Sequence, residues 1–448
     1  MNVKTLDLTK GSIVKAIILF SIPLLIGNLF QQLYNAVDSY VVGNYVGTDA
    51  LAAVGASTPV INMLIGFFMG ISTGAGVVIA QYYGGDDIKK MRRAIHNSLA
   101  LTIVMGIILT IIGLVFTDPL LHAIGVPQEV FSQASLYLSI YFWGLIFMMI
   151  YNMGSGILRS VGDSKRPLYF LIFSSIINII LDFLFVKTFH FGVAGAGYAT
   201  LIAQAVSAIF IMFVLMKTKE NYQVVFKEIG FDRDILKRII KIGLPTGFQQ
   251  SIVSLSNVIV QSYINVYGAS VIAGYSVTVK IDGFVNLPLQ AFNMAITTFV
   301  GQNIGAKQYD RVKKGAYMTT FLAMLTIGTF VIIMYIFGRD FIALFNSEKE
   351  VIEAGRLMQL VFLPFYIFLP INQVINGVLR GAGRSTVPMY VMIFSFVVLR
   401  QLYLFFITKV TSDIAYVFFG WPLTWIVCSV IFLVYFFKVD WLQKDVNG

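Results

Sequence analysis

GILRSVGDSKRPLY, residues 156–169, returns as GVLRGAGRSTVPMY at residues 377–390. Seven of the fourteen positions are identical at an offset of 221. The same offset pairs Gln81 with Gln302 and Gly84 with Gly305, each followed by a basic cluster, and an offset of 222 pairs Pro23 with Pro245. A correspondence running this far along the chain is a tandem duplication. It assigns residues 1–216 to a first repeat, 238–448 to a second, and 217–237 to a polar, Lys-rich linker.

Outward from that pair, each repeat holds six runs that can cross a bilayer, whose hydrocarbon core takes about 20 apolar residues of helix. The runs lie near 14–42, 51–83, 94–117, 133–158, 167–188 and 192–216, then 239–266, 270–300, 315–338, 354–380, 386–408 and 412–437. They are continuously apolar and lack the alternation of membrane β-strands. The expected fold is an all-α polytopic membrane protein of twelve transmembrane helices in two six-helix lobes. Composition agrees. Of 448 residues 58% are hydrophobic and 12% charged, about half the charged share of a soluble domain. That excludes a water-soluble enzyme and a disordered chain.

The net charge of +10 reports topology. The great majority of the 32 Lys and Arg fall in the gaps on the side of the N-terminus, Lys4 and Lys444 among them. The other side holds only Lys187, Arg339, Lys349 and Lys409. By the positive-inside rule both termini are cytoplasmic, which requires an even number of spans. Six spans per repeat also set the two lobes parallel, with a pseudo-two-fold along the membrane normal. The short polar start, Met1–Ser12, reads as no removable signal peptide. The single Cys428 and three dispersed His offer no disulfide framework or metal-ligand spacing, and no phosphate-binding loop is present. The expectation is no enzyme, no cofactor and no nucleic-acid partner.

Ionisable residues inside spans are costly and point to function. In span 1, Gln31, Tyr34, Asn35 and Asp38 recur at helical spacing on one face. In span 5, Asn178 and Asp182 are one turn apart, and Thr200 lies two turns into span 6 behind the small residues of GVAGAG. Oxygen ligands of this kind suit a hard cation such as Na⁺, and two neighbouring carboxylates can equally share a proton. The pattern leaves both open. Spans 7 and 10 carry amides and hydroxyls but no acid. Span 8 carries Lys280 and Asp282, which at i, i+2 do not face each other, and span 11 carries Arg400, read as pairing with Asp282 or reaching outward. Pro23 in span 1 frees a carbonyl and bends its helix. The basic turns after spans 4 and 10 read as headgroup anchors.

Pro23 with YNAVDSYVVG, QYYGGDDIKKMRRA, LRSVGDSKRP, NIILD, VGQNIGAKQYDRVKK and GVLRGAGRSTVP together resemble the prokaryotic multidrug and toxic compound extrusion family over nearly the whole chain. The absence of acids in spans 7 and 10 is similar to the branch named for DNA-damage-inducible proteins. The resemblance implies an antiporter of the cytoplasmic membrane. It exports organic, mostly cationic amphipathic compounds in exchange for H⁺ or Na⁺ by alternating access. It also implies coupling-ion roles for Asp38, Asn178, Asp182 and Thr200. Tyr34, Asn35, Met149, Asn152 and Met153 are then the candidate cavity lining, since Met and aromatic groups suit promiscuous sites. The expected partners are small organic cations and the lipid bilayer, and the chain is expected to be monomeric. The alternative is a lipid-linked saccharide flippase of the same superfamily. It wants basic groups in the cleft, where the spans offer only Lys280, Arg356 and Arg400.

Overall fold

A computed structural model describes residues 5–442, leaving aside the side chain at position 59. Lys4 and Lys444, counted above as cytoplasmic anchors, lie outside the described residues. The described chain is helical almost throughout, with no strand among the described residues. It forms twelve helical rods: α1 Ile13–Tyr45, α2 Thr48–Gly84, α3 Ile88–Ala123, α4 Gln128–Ser160, α5 Lys165–Thr188, α6 Gly192–Lys217, α7 Arg233–Ile264, α8 Ala269–Gly305, α9 Tyr309–Ala343, α10 in the two pieces Lys349–Phe365 and Phe368–Gly381, α11 Thr386–Val410 and α12 Ile414–Lys438. Each expected run falls on one rod. The chain is an all-α, multi-pass membrane protein.

Among the described residues nine rods are long and apolar enough to span a membrane, and α10 makes ten when its two pieces, bent by 59°, count as one. The two that fall short are α7 and α8. Their polar content is the reason: Gln249, Gln250, Ser254, Asn257 and Gln261 on α7, and Lys280, Asp282 and Asn286 on α8. Many rods outrun the bilayer. At 1.5 Å per residue, the 36 residues of α3 reach about 54 Å.

The chain divides into two compact units: the described part of Met1–Asp7 with Ile22–Gly247, and Leu8–Ser21 with the described part of Phe248–Gly448. The bounds fall inside α1 and α7, next to Pro23 and Pro245, so each of these helices begins in one unit and continues in the other. Hydrogen bonds at the helix starts account for this. In the second unit Gln302 Oε1 accepts from the Leu8 N–H at 3.2 Å, and Arg311 donates to the carbonyls of Leu8, Lys10 and Gly11. In the first unit the linker settles on α3. Val225 N–H donates to His96 Nε2 at 2.9 Å, Asn97 Nδ2 donates to the Asp232 carbonyl at 2.7 Å, and Arg238 reaches Gln81 and Tyr82. Tyr222 and Val224 of the linker are buried.

In the first unit one apolar cluster runs through α2, α3, α4 and α6, with the linker side chains on its edge. Glycine lets α2 and α7 touch backbone to backbone. A Cβ on Gly74 would stand 2.5 Å from Gly243 Cα, and one on Gly243 would stand 2.9 Å from Ile71 Cα. Gly70 meets Gly247 in the same way, so two GxxxG spacings interlock.

The turns after α4 and α10 are brackets, a correction to their reading as headgroup anchors. Asp163, its side chain fully buried, accepts from the N–H groups of Lys165 and Arg166 and from the Arg166 guanidinium, which also donates to Tyr222. Arg380 is 7% exposed and donates to Asn293 and Asn376. Close helix packing around Gly377 and Gly381 turns this cation inward.

Candidate functional site

The first unit gathers its polar residues from three helices. α6 can come close to α4 and α5 because its first turns are small. A Cβ on Gly195 would be 3.2 Å from the Phe185 backbone, and one on Gly197 would be 3.0 Å from Ile140. This sets Thr200 against α5. With the Asn178 amide turned so that both its ends are satisfied, Nδ2 donates to Asp182 Oδ2 at 2.9 Å and Oδ1 accepts from the Thr200 N–H at 3.3 Å. From α1 the Tyr34 hydroxyl donates to Thr200 Oγ1 at 3.2 Å. Asn178 and Asp182 are 0% exposed, Thr200 4% and Asp38 8%.

The carboxyls are incompletely served. Asp38 Oδ1 and Asp182 Oδ1 are buried with no hydrogen-bond partner among the described residues. Asp182 lies within electrostatic reach of Asp38, and both act on Tyr34 and Tyr137. No Lys, Arg or His forms an ion pair with either acid among the described residues. Two buried carboxylates without a countercharge are unfavourable in a low dielectric. The cluster can be neutralised by protons or by a cation that accepts oxygen ligands. Among the described residues no three His, Cys, Asp or Glu gather as a metal centre.

Of the four residues expected on one face of span 1, Tyr34 and Asp38 turn into the unit while Gln31 and Asn35 are exposed. Asn152 is half-buried, donating to the Met148 carbonyl at 3.0 Å while its own carbonyl accepts from Ser72 at 3.1 Å. Met149 and Met153 are fully buried in the apolar core, so in this conformation their side chains pack against neighbours. Pro23 is buried in an α1 that continues past it without a break. Sequence reading passed over Tyr137 and Tyr141 on α4, both buried, Tyr137 within electrostatic reach of both acids and Tyr141 of Tyr34. Their i, i+4 spacing is the signal that could have found them.

The second unit buries a cation on α11, the counterpart of α5. α5 turns to π geometry at Phe183–Thr188, directly after Asp182, and α11 does so at Phe394–Leu399, directly before Arg400. Single π turns inside helices often accompany functional positions. Arg400 takes neither of the two placements that the sequence left open for it. It is 2% exposed, so it does not reach outward, and it makes no ion pair with Asp282. It donates to Asn257 Oδ1 at 3.0 Å and Thr424 Oγ1 at 3.2 Å, its guanidinium lying over Phe396 and Trp421. Lys280 is exposed, and Asp282 turns the other way, as their i, i+2 spacing requires.

Twelve helical rods among the described residues, a duplicated sequence and two buried acids without a countercharge among those residues define a membrane transporter built from two repeats. Residues 23–184 and 245–405 both match the model of the MatE family. The chain belongs to this family. It is 30% identical over 447 residues to the Bacillus subtilis (strain 168) protein named probable multidrug resistance protein YoeA, covering 98% of this chain and 96% of that one. It is 24% identical over 381 residues to multidrug export protein MepA of Staphylococcus aureus (strain MSSA476), covering 84% of this chain and 83% of that one. The solved structure of a MOP superfamily transporter from Pyrococcus furiosus Vc1 superposes with a TM-score of 0.92 at 26% identity, covering 99% of this chain and 100% of that one.

Proposed function

We propose that this chain is a secondary antiporter of the cytoplasmic membrane that exports organic, mostly cationic amphipathic compounds by alternating access, in exchange for H⁺ or Na⁺. Its lobes are the two repeats, 1–216 and 238–448, joined by 217–237, with both termini cytoplasmic and the monomer as the working unit. The carrying observation is the pair Asp38 and Asp182: buried, mutually within electrostatic reach, each with an oxygen that has no hydrogen-bond partner among the described residues. Asn178 holds Asp182, with Thr200 and Tyr34 bonded behind it. A coupling ion entering the cluster cancels its charge, and a cationic substrate is attracted by the same charge once the ion has left. Competition for one negative site is sufficient for exchange. The relatives named for multidrug resistance and export support the substrate class.

The test is efflux of a fluorescent organic cation from proteoliposomes under a pH gradient alone and under a Na⁺ gradient alone, for the native protein, Asp38→Asn and Asp182→Asn. One gradient should drive native transport, and both variants should fall to the protein-free rate. Transport in both variants at the native rate overturns the coupling assignment.

A further inference from the structure

Asp282 on α8 meets Tyr366 on α10 at the place where α10 is broken. The two pieces of α10 are bent by 59°, Pro364 lies in the last turn of the first, and Tyr366 lies in the break itself. Tyr366 is 0% exposed, stacked on Trp425 with ring centroids 5.5 Å apart, and Phe362 packs on Trp421 and Trp425. The Tyr366 hydroxyl donates to Asp282 Oδ1 at 2.5 Å. Asn286 Nδ2 donates to Oδ2 at 3.2 Å. Every hydrogen-bond partner of this carboxyl is neutral.

The charged groups around it do not neutralise it. Lys280 of the same helix is exposed on another face. Arg400 of α11 is occupied by Asn257, Thr424 and two aromatic rings. Tyr275 of α8 stands within reach of both Arg400 and Asp282 without joining them. No ion pair involves Asp282 among the described residues. Asp282 as a residue is half-buried, whereas Tyr366 is sealed. Broken membrane helices are where transporters place ion sites, because the interrupted backbone leaves polar groups free.

We infer that Asp282 and Tyr366 form a second proton-binding site, separate from the Asp38–Asp182 cluster and lying on spans 8 and 10. The carboxylate takes one proton from water and returns it, and no other bond is made or broken. Its use in transport rests on the antiport reading, with one exchange cycle then able to carry a proton in each unit. The binding itself does not rest on that reading.

The experiment uses the full-length purified protein with no substrate and no gradient. An indicator dye counts protons bound over an acid titration, and infrared difference spectra follow the protonated-carboxyl stretch. Asp282→Asn should bind one proton fewer and lose one carboxyl band. Tyr366→Phe keeps the ring stacking, so it should fold, keep the proton and shift that band through loss of the hydrogen bond. Both effects should persist in an Asp38→Asn/Asp182→Asn background. An unchanged proton count in Asp282→Asn, or an unmoved band in Tyr366→Phe, overturns the inference. Failure of the transport test above leaves these readouts untouched.

Discussion

Gly74→Ala tests how closely α2 and α7 approach in the first unit. The added Cβ would stand 2.5 Å from Gly243 Cα, whereas ordinary van der Waals contact begins at 3.4 Å. The obstructing atom is backbone, so no rotamer change relieves it. The helices must part by about 1 Å, and a close-packed interior resists that. Overpacking of this kind costs ~1–3 kcal/mol. Alanine otherwise favours a helix over glycine by about 1 kcal/mol. The matched control is Gly328→Ala on α9, where a Cβ meets open space, and it should be neutral or stabilising. The helix gain is common to both variants, so they should differ by the overpacking alone, roughly 1–3 kcal/mol. The assay is reversible denaturant unfolding of both variants in one detergent, read as midpoint and slope. Equal midpoints would mean that the backbones do not touch, and the assignment of the first half of α7 to the first unit would fail with them.

Other substitutions probe separate links. Gly162 has φ +90° and its Cβ would fall on the Leu6 carbonyl oxygen, so Gly162→Ala should release the segment before α1 and speed its proteolysis; native-like protection refutes the contact. Asn178→Ala removes the donor to Asp182 Oδ2 and should lower gradient-driven efflux at least tenfold, equivalent to ~1.4 kcal/mol, with folded yield retained; an unchanged rate would make Asn178 a packing residue. Arg400→Lys keeps the charge but cannot reach both Asn257 and Thr424 or lie flat on Trp421, so thermal unfolding should fall by ~1–3 kcal/mol of stability. Pro23→Ala supplies the N–H that α1 lacks and should slow exchange without weakening substrate binding; full exchange would reduce Pro23 to packing.

Periodicity and the repeat made most of the fold readable. Apolar runs located all twelve rods, α7 and α8 included, although these two carry enough polar residues to fall short of the others in apolarity. The first-unit site was readable for a physical reason. Asp38, Asn178, Asp182 and Thr200 are polar atoms in hydrocarbon, and such atoms stand out in any sequence. Their partners did not stand out. Tyr137, Tyr141 and Tyr366 are amphipathic residues that occur equally well against lipid, and only the packing shows which way each hydroxyl turns. The placement of Arg400 was left open for a related reason. A long side chain can reach outward or fold inward, and the choice was made by Phe396, Trp421, Asn257 and Thr424, which are distant in sequence. Arg380 was misread, since a basic turn looks like a headgroup anchor until Asn293 and Asn376 appear beside it.

The starts of α1 and α7 carry a consequence for ancestry. The residues before α1 are bonded to Gln302 and Arg311 of the second repeat, those before α7 to His96 and Asn97 of the first, and Arg238 in the first turns of α7 to Gln81. Cutting the chain in the linker would give two six-helix products, each carrying a leading arm that matches the other's body and lacking the arm that completes its own. Two identical single-repeat chains could satisfy both needs only by trading arms, the arrangement of a swapped dimer. Gene fusion would then have preserved that trade within one polypeptide, and the two bodies became free to diverge, one keeping acids at its buried centre and the other an arginine.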